Sequence, residues 1–319
     1  MSTQRLGLNG MTEELRQHYD LLMLSRAVPA LVHRQYGLER PIPARMGNSI
    51  EWRRLERPTA NTTALTEGTP PSITNVTVTA VAATVLQYGT FSYHSEILQT
   101  QSIDPIIEEL VEMYGEHAGI SLDTLVRNTI TGGTTVQYAG ASTSRGDVSS
   151  GRRMTFAEIR EAVATLEGND AKKMAKAGGN FVGIIHPDVK YDLFGDSDFL
   201  ATQQQAGVRG GGNALFTGDV GDFYGVRFIV TSQARVGTSL GLSGADVYYT
   251  MVFGEQFYGV TEFSAHTLRS IVKPVGSGGT SDPLDQFGSV GWKASIATAI
   301  LNENFGVRIE STSSQGSVG

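Results

Sequence analysis

The chain has 319 residues, 40% apolar and 18% charged, which is enough to build a core and too little charge for a disordered polymer. Its 38 glycines show no triplet period, so collagen is excluded and many turns are implied. The absence of cysteine excludes disulfides, thiolate metal sites and a cysteine nucleophile, and no run of about 18 uncharged apolar residues offers a membrane span.

The net charge of −7 is unevenly placed. Residues 1–57 hold nine Arg, no Lys and six acidic residues, a net +3, which leaves −10 for the rest. An Arg-only arm of this kind either touches phosphates or packs on a neighbour through ordinary ion pairs.

In chain order, residues 12–28 predict a helix, with Thr12 as N-cap, Glu13 and Glu14 in the first turn, and Pro29 as the stop. Residues 38–48 are extended because two prolines disfavour the α region before them. Ile50–Leu55 is a strand carrying Trp52, Arg53 and Arg54. A second alternating run begins at Val76 and continues to about Tyr93. The polar, Pro- and Gly-rich tip between them, 58–71, cannot bury itself. It has to lie on another domain or another subunit.

Residues 104–130 predict the longest helix, capped by Asp104 with Pro105 at the first helical position. Its Gly115 and Gly119 either admit a close neighbour or mark a bend. A Gly/Ser/Thr loop covers 131–153. Thr155 and Glu158 then form a capping box for the next helix. Phe181–Ile185, Val226–Thr231 and Val247–Phe253 read as buried strands. Trp292–Leu301 and Phe305–Glu310 flank Asn302-Glu303-Asn304 as a hairpin, and the last eight residues read as a frayed tail. Helices and strands mix without βαβ alternation, so the fold class is α+β.

The search for chemistry is almost empty. Gly237-Thr-Ser239-Leu-Gly241 matches the nucleophile-elbow pattern with His266 downstream, but a poor helix start follows it. The six histidines, at 18, 33, 94, 117, 186 and 266, share no metal-ligand spacing, and each reads as a local hydrogen-bonding residue. Asp192, Asp196 and Asp198 read as caps or turns. Gly210–Gly212 is a loop without the context of a phosphate cradle. An extended arm, a long flap and no catalytic constellation together describe an assembly subunit.

Several runs carry a resemblance: Leu65-Thr-Glu-Gly-Thr-Pro70, Ser102-Ile-Asp-Pro105, Asp219-Val-Gly-Asp-Phe-Tyr-Gly-Val-Arg-Phe228, Gly288-Ser-Val-Gly-Trp-Lys293 and Ile300-Leu-Asn-Glu-Asn304. Their order resembles the major capsid proteins of tailed double-stranded-DNA bacteriophages across nearly the whole chain. The resemblance implies an N-terminal arm (1–45) and an extended β-hairpin loop (46–96). It implies a peripheral domain (97–154 and 271–311) around a spine helix (104–130), a mixed α/β axial domain (155–270) and a flexible tail (312–319).

It further implies pentamers and hexamers closing into an icosahedral shell, with no enzymatic activity and no cofactor or metal. The implied partners are copies of the chain itself, a scaffolding protein, a portal protein, a decoration protein and weakly held DNA. No membrane is involved, and the setting is the virion, assembled in the host cytoplasm. Trp52, Arg53, Arg54, Glu67, Tyr19 and Leu22 become candidate inter-subunit contacts, the arm helix strapping a second neighbour. Arg5, Arg16, Arg26 and Arg34 become candidate phosphate contacts. The flap has no lysine, so an isopeptide cross-link from it is excluded. Only about eleven residues precede the first helix, which points to a separate scaffolding protein or a processed chain. An encapsulin-like compartment of the same fold and a hydrolase using Ser239 are the alternatives; a surface-array protein would call for a secretion signal.

Overall fold

The computed structural model describes residues 13–27, 31–43, 45–56, 58–65, 67–68, 73, 75–102, 105–197, 221–264, 267–278 and 282–315. The first half holds helix α1 (Glu13–Ala27), strands β1 (Leu38–Glu39), β2 (Ser49–Leu55), β3 (Val78–Thr84) and β4 (Leu86–Ser95), and helices α2 (Glu96–Gln101) and α3 (Ile106–Ile130). Strand β5 (Val136–Tyr138), α4 (Phe156–Gly168), β6 (Phe181–Ile185) and α5 (Pro187–Phe194) follow. The remainder is strands: β7 (Asp222–Phe223), β8 (Val226–Val230), β9 (Val236–Gly237), β10 (Val247–Phe253), β11 (Tyr258–Thr261), β12 (Arg269–Lys273), β13 (Phe287–Ile300) and β14 (Gly306–Ser311).

Helix α3 organises the layers. Val111, Tyr114, Ala118, Leu122, Val126 and Ile130 recur at helical spacing and are buried. That stripe packs on Val290, Trp292 and Ile296 of one sheet and on Val182, Ile184, Met251 and Phe253 of another. The first sheet has β13 at its centre, with β4 along one side and β12 and then β11 along the other. The second runs β5-β14-β10-β6-β8-β7. Helices α4 and α5 cover its opposite face through Ile159, Leu166, Val189 and Leu193. Strand β10 is therefore enclosed on both faces, and all seven of its residues are buried. The architecture is α+β, as read from the sequence.

The capping box opens α4 as expected, and Asp196 also accepts from the Phe156 N–H at 2.9 Å. On α3, Pro105 stands at the N-cap and the helix starts at Ile106; Asp104 lies outside the described residues. Gly115 resolves its two readings toward close packing. A Cβ there would lie 2.6 Å from the Met23 carbonyl oxygen of α1. Gly115→Leu is expected to cost ~1–3 kcal/mol through overpacking, and faster hydrogen exchange across α1 checks it.

The second sheet buries a charge centre. The Glu310 carboxylate is fully buried and takes both Arg145 contacts, Nε to Oε2 and Nη2 to Oε1, at 2.8 Å each. Arg308 Nε lies 2.8 Å from the same Oε1. The carboxylate raises the Arg145 pKa, first through its hydrogen bonds.

Four expectations are corrected. The strand expected from 76 to about 93 is two strands in different sheets: β3 pairs with β2, and β4 pairs with β13. The C-terminal hairpin does not exist, because β13 and β14 belong to different sheets and Glu303–Phe305 is a 3₁₀ turn between them. The loop at 131–153 contains β5 and a 3₁₀ turn. Within the expected frayed tail, Thr312 and Ser313 are buried, and Ser314 N–H donates to Asp192 at 2.8 Å. Residues 316–319 lie outside the described residues, as do Thr12, Pro29, Asp198, Gly210–Gly212 and His266.

His94 on β4 is buried, and neither ring nitrogen has a hydrogen-bond partner among the described residues. Burial holds its pKa below the ordinary value. The folded chain therefore resists a proton that the unfolded chain accepts near pH 6.5. Stability is full above that pH and is lost as pH falls from there toward the folded pKa. His186 is shifted the same way by burial, so His94→Gln should reduce the slope of stability against pH below about 6.5 without abolishing it. Urea titrations at several pH values check this.

Candidate assembly surfaces

The hairpin β2–β3 is rooted in the body at its base. Its register runs from Ser49 opposite Thr84 to Leu55 opposite Val78. Trp52 is only 6% exposed, and its ring fills the space beside Gly259 of β11, where a Cβ would lie 2.9 Å from the indole. Trp52 is thus turned into its own subunit. Its indole N–H has no acceptor among the described residues. Arg54 reaches the Leu301 carbonyl at 3.5 Å and lies 3.8 Å from Glu56, while Arg53 is exposed and pairs with Glu51 at 3.1 Å.

Beyond this root the hairpin is bare. Between Leu55 and Val78 every residue whose burial is described is exposed, including Ile73 at 92%, Leu65 at 74% and Glu67. Along β3 the exposed residues alternate with half-buried ones, so even the paired part has one open face.

The arm is tied to its own subunit. Tyr19 and Leu22 pack against the core formed around α3. Asp20 accepts from the Ser270 N–H and hydroxyl at 2.8 and 2.6 Å. His33 is buried against Asp123 of α3, with Nδ1 2.5 Å from one carboxylate oxygen and its N–H 2.7 Å from the other. The Tyr258 hydroxyl donates to the His33 carbonyl, and burial pushes its pKa well up, so it stays a donor. Strand β1 then runs parallel to β11. Over these residues the arm clamps the chain's own spine.

Of the candidate phosphate contacts, Arg26 pairs with Glu112 at 2.6 Å and Arg34 with Glu262 at 2.7 Å. Arg5 and the Arg16 side chain lie outside the described residues.

The elbow context for Ser239 is absent. Ser239 sits in an exposed turn with φ of 56°, its N–H held by Asp246 at 2.8 Å, and a 3₁₀ turn at Leu242–Gly244 follows where an α-helix is required. Among the described residues no group of three His, Asp or Glu is placed to hold a metal, and no helix is long and apolar enough to cross a membrane.

One surface escaped the sequence reading. Phe91 and Tyr93 of β4 are 60% and 69% exposed and meet edge to face, and Phe287 of β13 continues the row. Their spacing of two on a strand was the available signal.

A family model described as "Phage capsid protein" matches residues 77–309. The fold is similar to the capsid of Ralstonia phage GP4, at 12% identity over 89% of each chain and a TM-score of 0.70. It is similar to the capsid of Cyanophage Pam1, at 13% identity over 98% of this chain and 97% of that one, with a TM-score of 0.69. It also resembles the capsid of Cyanophage P-SCSP1u, at 13% identity over 88% and 87%, with a TM-score of 0.67. No curated protein matches the sequence.

Proposed function

We propose, from the premise that this chain belongs to the phage capsid protein family, a specific route by which it assembles. The chain is a structural subunit of a capsid shell and not an enzyme. Pentamers and hexamers form when the exposed hairpin of one copy lies across the next, closing an icosahedral shell around double-stranded DNA. A heterologous contact of this kind suits a closed lattice, because one protruding element and one receiving surface sit on the same chain.

One observation carries the reading. The flap exposes Leu55, Leu65, Ile73, Val76 and Val78, and none of the described residues of its own subunit covers them. Arg53 and Glu67 supply polar contacts to the neighbour, while Trp52, Arg54, Tyr19 and Leu22 support them by fixing the flap root and the arm. DNA contact is weak, as expected for a body with net negative charge. It rests on Arg5 and Arg16, since Arg26 and Arg34 are already paired with carboxylates. Scaffolding, portal and decoration proteins complete the set of partners, and assembly takes place in the host cytoplasm.

Size-exclusion chromatography with light scattering, followed by electron microscopy of the heaviest fraction, tests this. Rings of five and six copies or closed shells are expected. A monomer at every salt concentration, even with a co-expressed scaffolding protein, would overturn the route.

A further inference from the structure

The sheet centred on β13 has one face on α3 and one face open. On the open face, strand pairing sets Phe91 opposite Gly291, Tyr93 opposite Ser289 and Gly89 opposite Lys293. Strand β12 adds Arg269, Ile271 and Lys273, opposite Lys293, Gly291 and Ser289. The result is a groove of about 930 Å³ with a glycine and serine floor along β13. The aromatic pair forms one wall, and Ile271 with Lys273 forms the other. Only glycine at 291 admits the Phe91 wall, since a Cβ there would lie 2.5 Å from the Phe91 Cβ.

Two properties of this groove are unmatched within the chain. Its aromatic wall is exposed, and its lining cations Lys273 and Lys293, with Arg269 beyond them on the same face, form no ion pair among the described residues, while the one lining carboxylate, Asp282, accepts from the Phe287 N–H at 2.8 Å. Two unpaired lysines in an apolar trough, with Arg269 beside it, call for acidic groups interleaved with apolar ones. The chain's own segments do not provide that: even 198–220 carries only Asp198 and Asp219, twenty-one residues apart, against Arg209. The flap from 56 to 77 carries Glu56 and Glu67 against Arg57, residues 1–12 carry only Arg5, and 312–319 carry no charged side chain. Duplex DNA supplies charge, but its regular phosphate backbone offers nothing apolar to fill an aromatic trough.

We propose that this groove receives an extended, acidic segment of a second, different polypeptide, with its apolar side chains between Phe91 and Ile271 and its carboxylates on Lys273 and Lys293. The proposal goes beyond the flap-mediated assembly route and does not depend on it.

Fluorescence anisotropy on the full chain tests it with three labelled probes. These are a synthetic peptide alternating Glu and Leu, a peptide of residues 56–77 of this chain, and a double-stranded oligonucleotide. The acidic peptide should bind at least about tenfold tighter than the other two. The double substitution Lys273→Glu/Lys293→Glu should weaken it by at least about tenfold, and Phe91→Ala should weaken it without altering the salt dependence. Both sets of changes lie on an open face, and circular dichroism melts verify folding. Equal or tighter binding of the oligonucleotide or of the 56–77 peptide overturns the assignment. So does acidic-peptide binding that survives the charge reversal.

Discussion

Replacing residues 57–76 by Asn-Gly is expected to abolish shell formation while leaving the subunit folded. The cut falls beyond the Glu56–Thr77 hydrogen bond of 2.9 Å, where a two-residue turn closes an antiparallel pair. The deleted segment contributes no buried residue among those described, so the melting temperature should move little. The deletion does remove Leu65, Ile73, Val76 and Glu67, the surface available to a neighbour. At ~25 cal/mol per Å² of apolar area, a flap seated on another copy contributes several kcal/mol at every contact of the lattice. Light scattering reads the outcome. Shells of normal size from the shortened chain would remove the flap from the assembly route.

Glu310→Ala should be the most destabilising single change in the second sheet. The carboxylate is fully buried and serves two guanidiniums, Arg145 in a bidentate pair and Arg308 from its own strand. Removing it leaves two cations facing each other without a counter-charge. Breaking such a pair from one side costs ~3–5 kcal/mol, a large share of a typical stability of 5–15 kcal/mol. Arg308 cannot simply withdraw, because it also donates to the Gly133 carbonyl at 3.1 Å. Denaturant unfolding of the unassembled subunit measures the loss. Combining Arg145→Leu with Glu310→Leu should recover part of it, since the uncompensated charge is then smaller. A cost below ~1 kcal/mol for Glu310→Ala would mean that solvent reaches the site.

Local signals were legible where local physics decides. The stripe of α3, the capping box at Thr155 and Glu158, and the buried runs of β6 and β10 form as their patterns predict, while β8 is fully buried only at Val226 and Phe228. The errors fall where a distant partner decides. Strands β3 and β4 read as one run because alternation is nearly continuous. The break was written in the adjacent apolar pair Val85-Leu86, where the exposed positions change from even to odd. A one-residue slip sends every following side chain to the other face, and here the chain uses it to change sheets. Asn302-Glu303-Asn304 suits a hairpin turn and a 3₁₀ turn equally well, and only the pairing of β14 with β10 selects the second. Ser314 looked like tail because the Asp192 carboxylate that holds it is more than a hundred residues away in sequence. The open groove was invisible because Gly89, Gly291 and the cations of β12 meet only when three strands pair.

The turn at Glu303–Phe305 links the longest strand of one sheet directly to β14 of the other. A shell wall under internal pressure is stretched in its own plane. In this subunit that tension passes between the two sheets along a short length of peptide bonds, in series with the strand ladders on either side. On the proposed assembly route the wall is stiff along β13 and compliant at the flap.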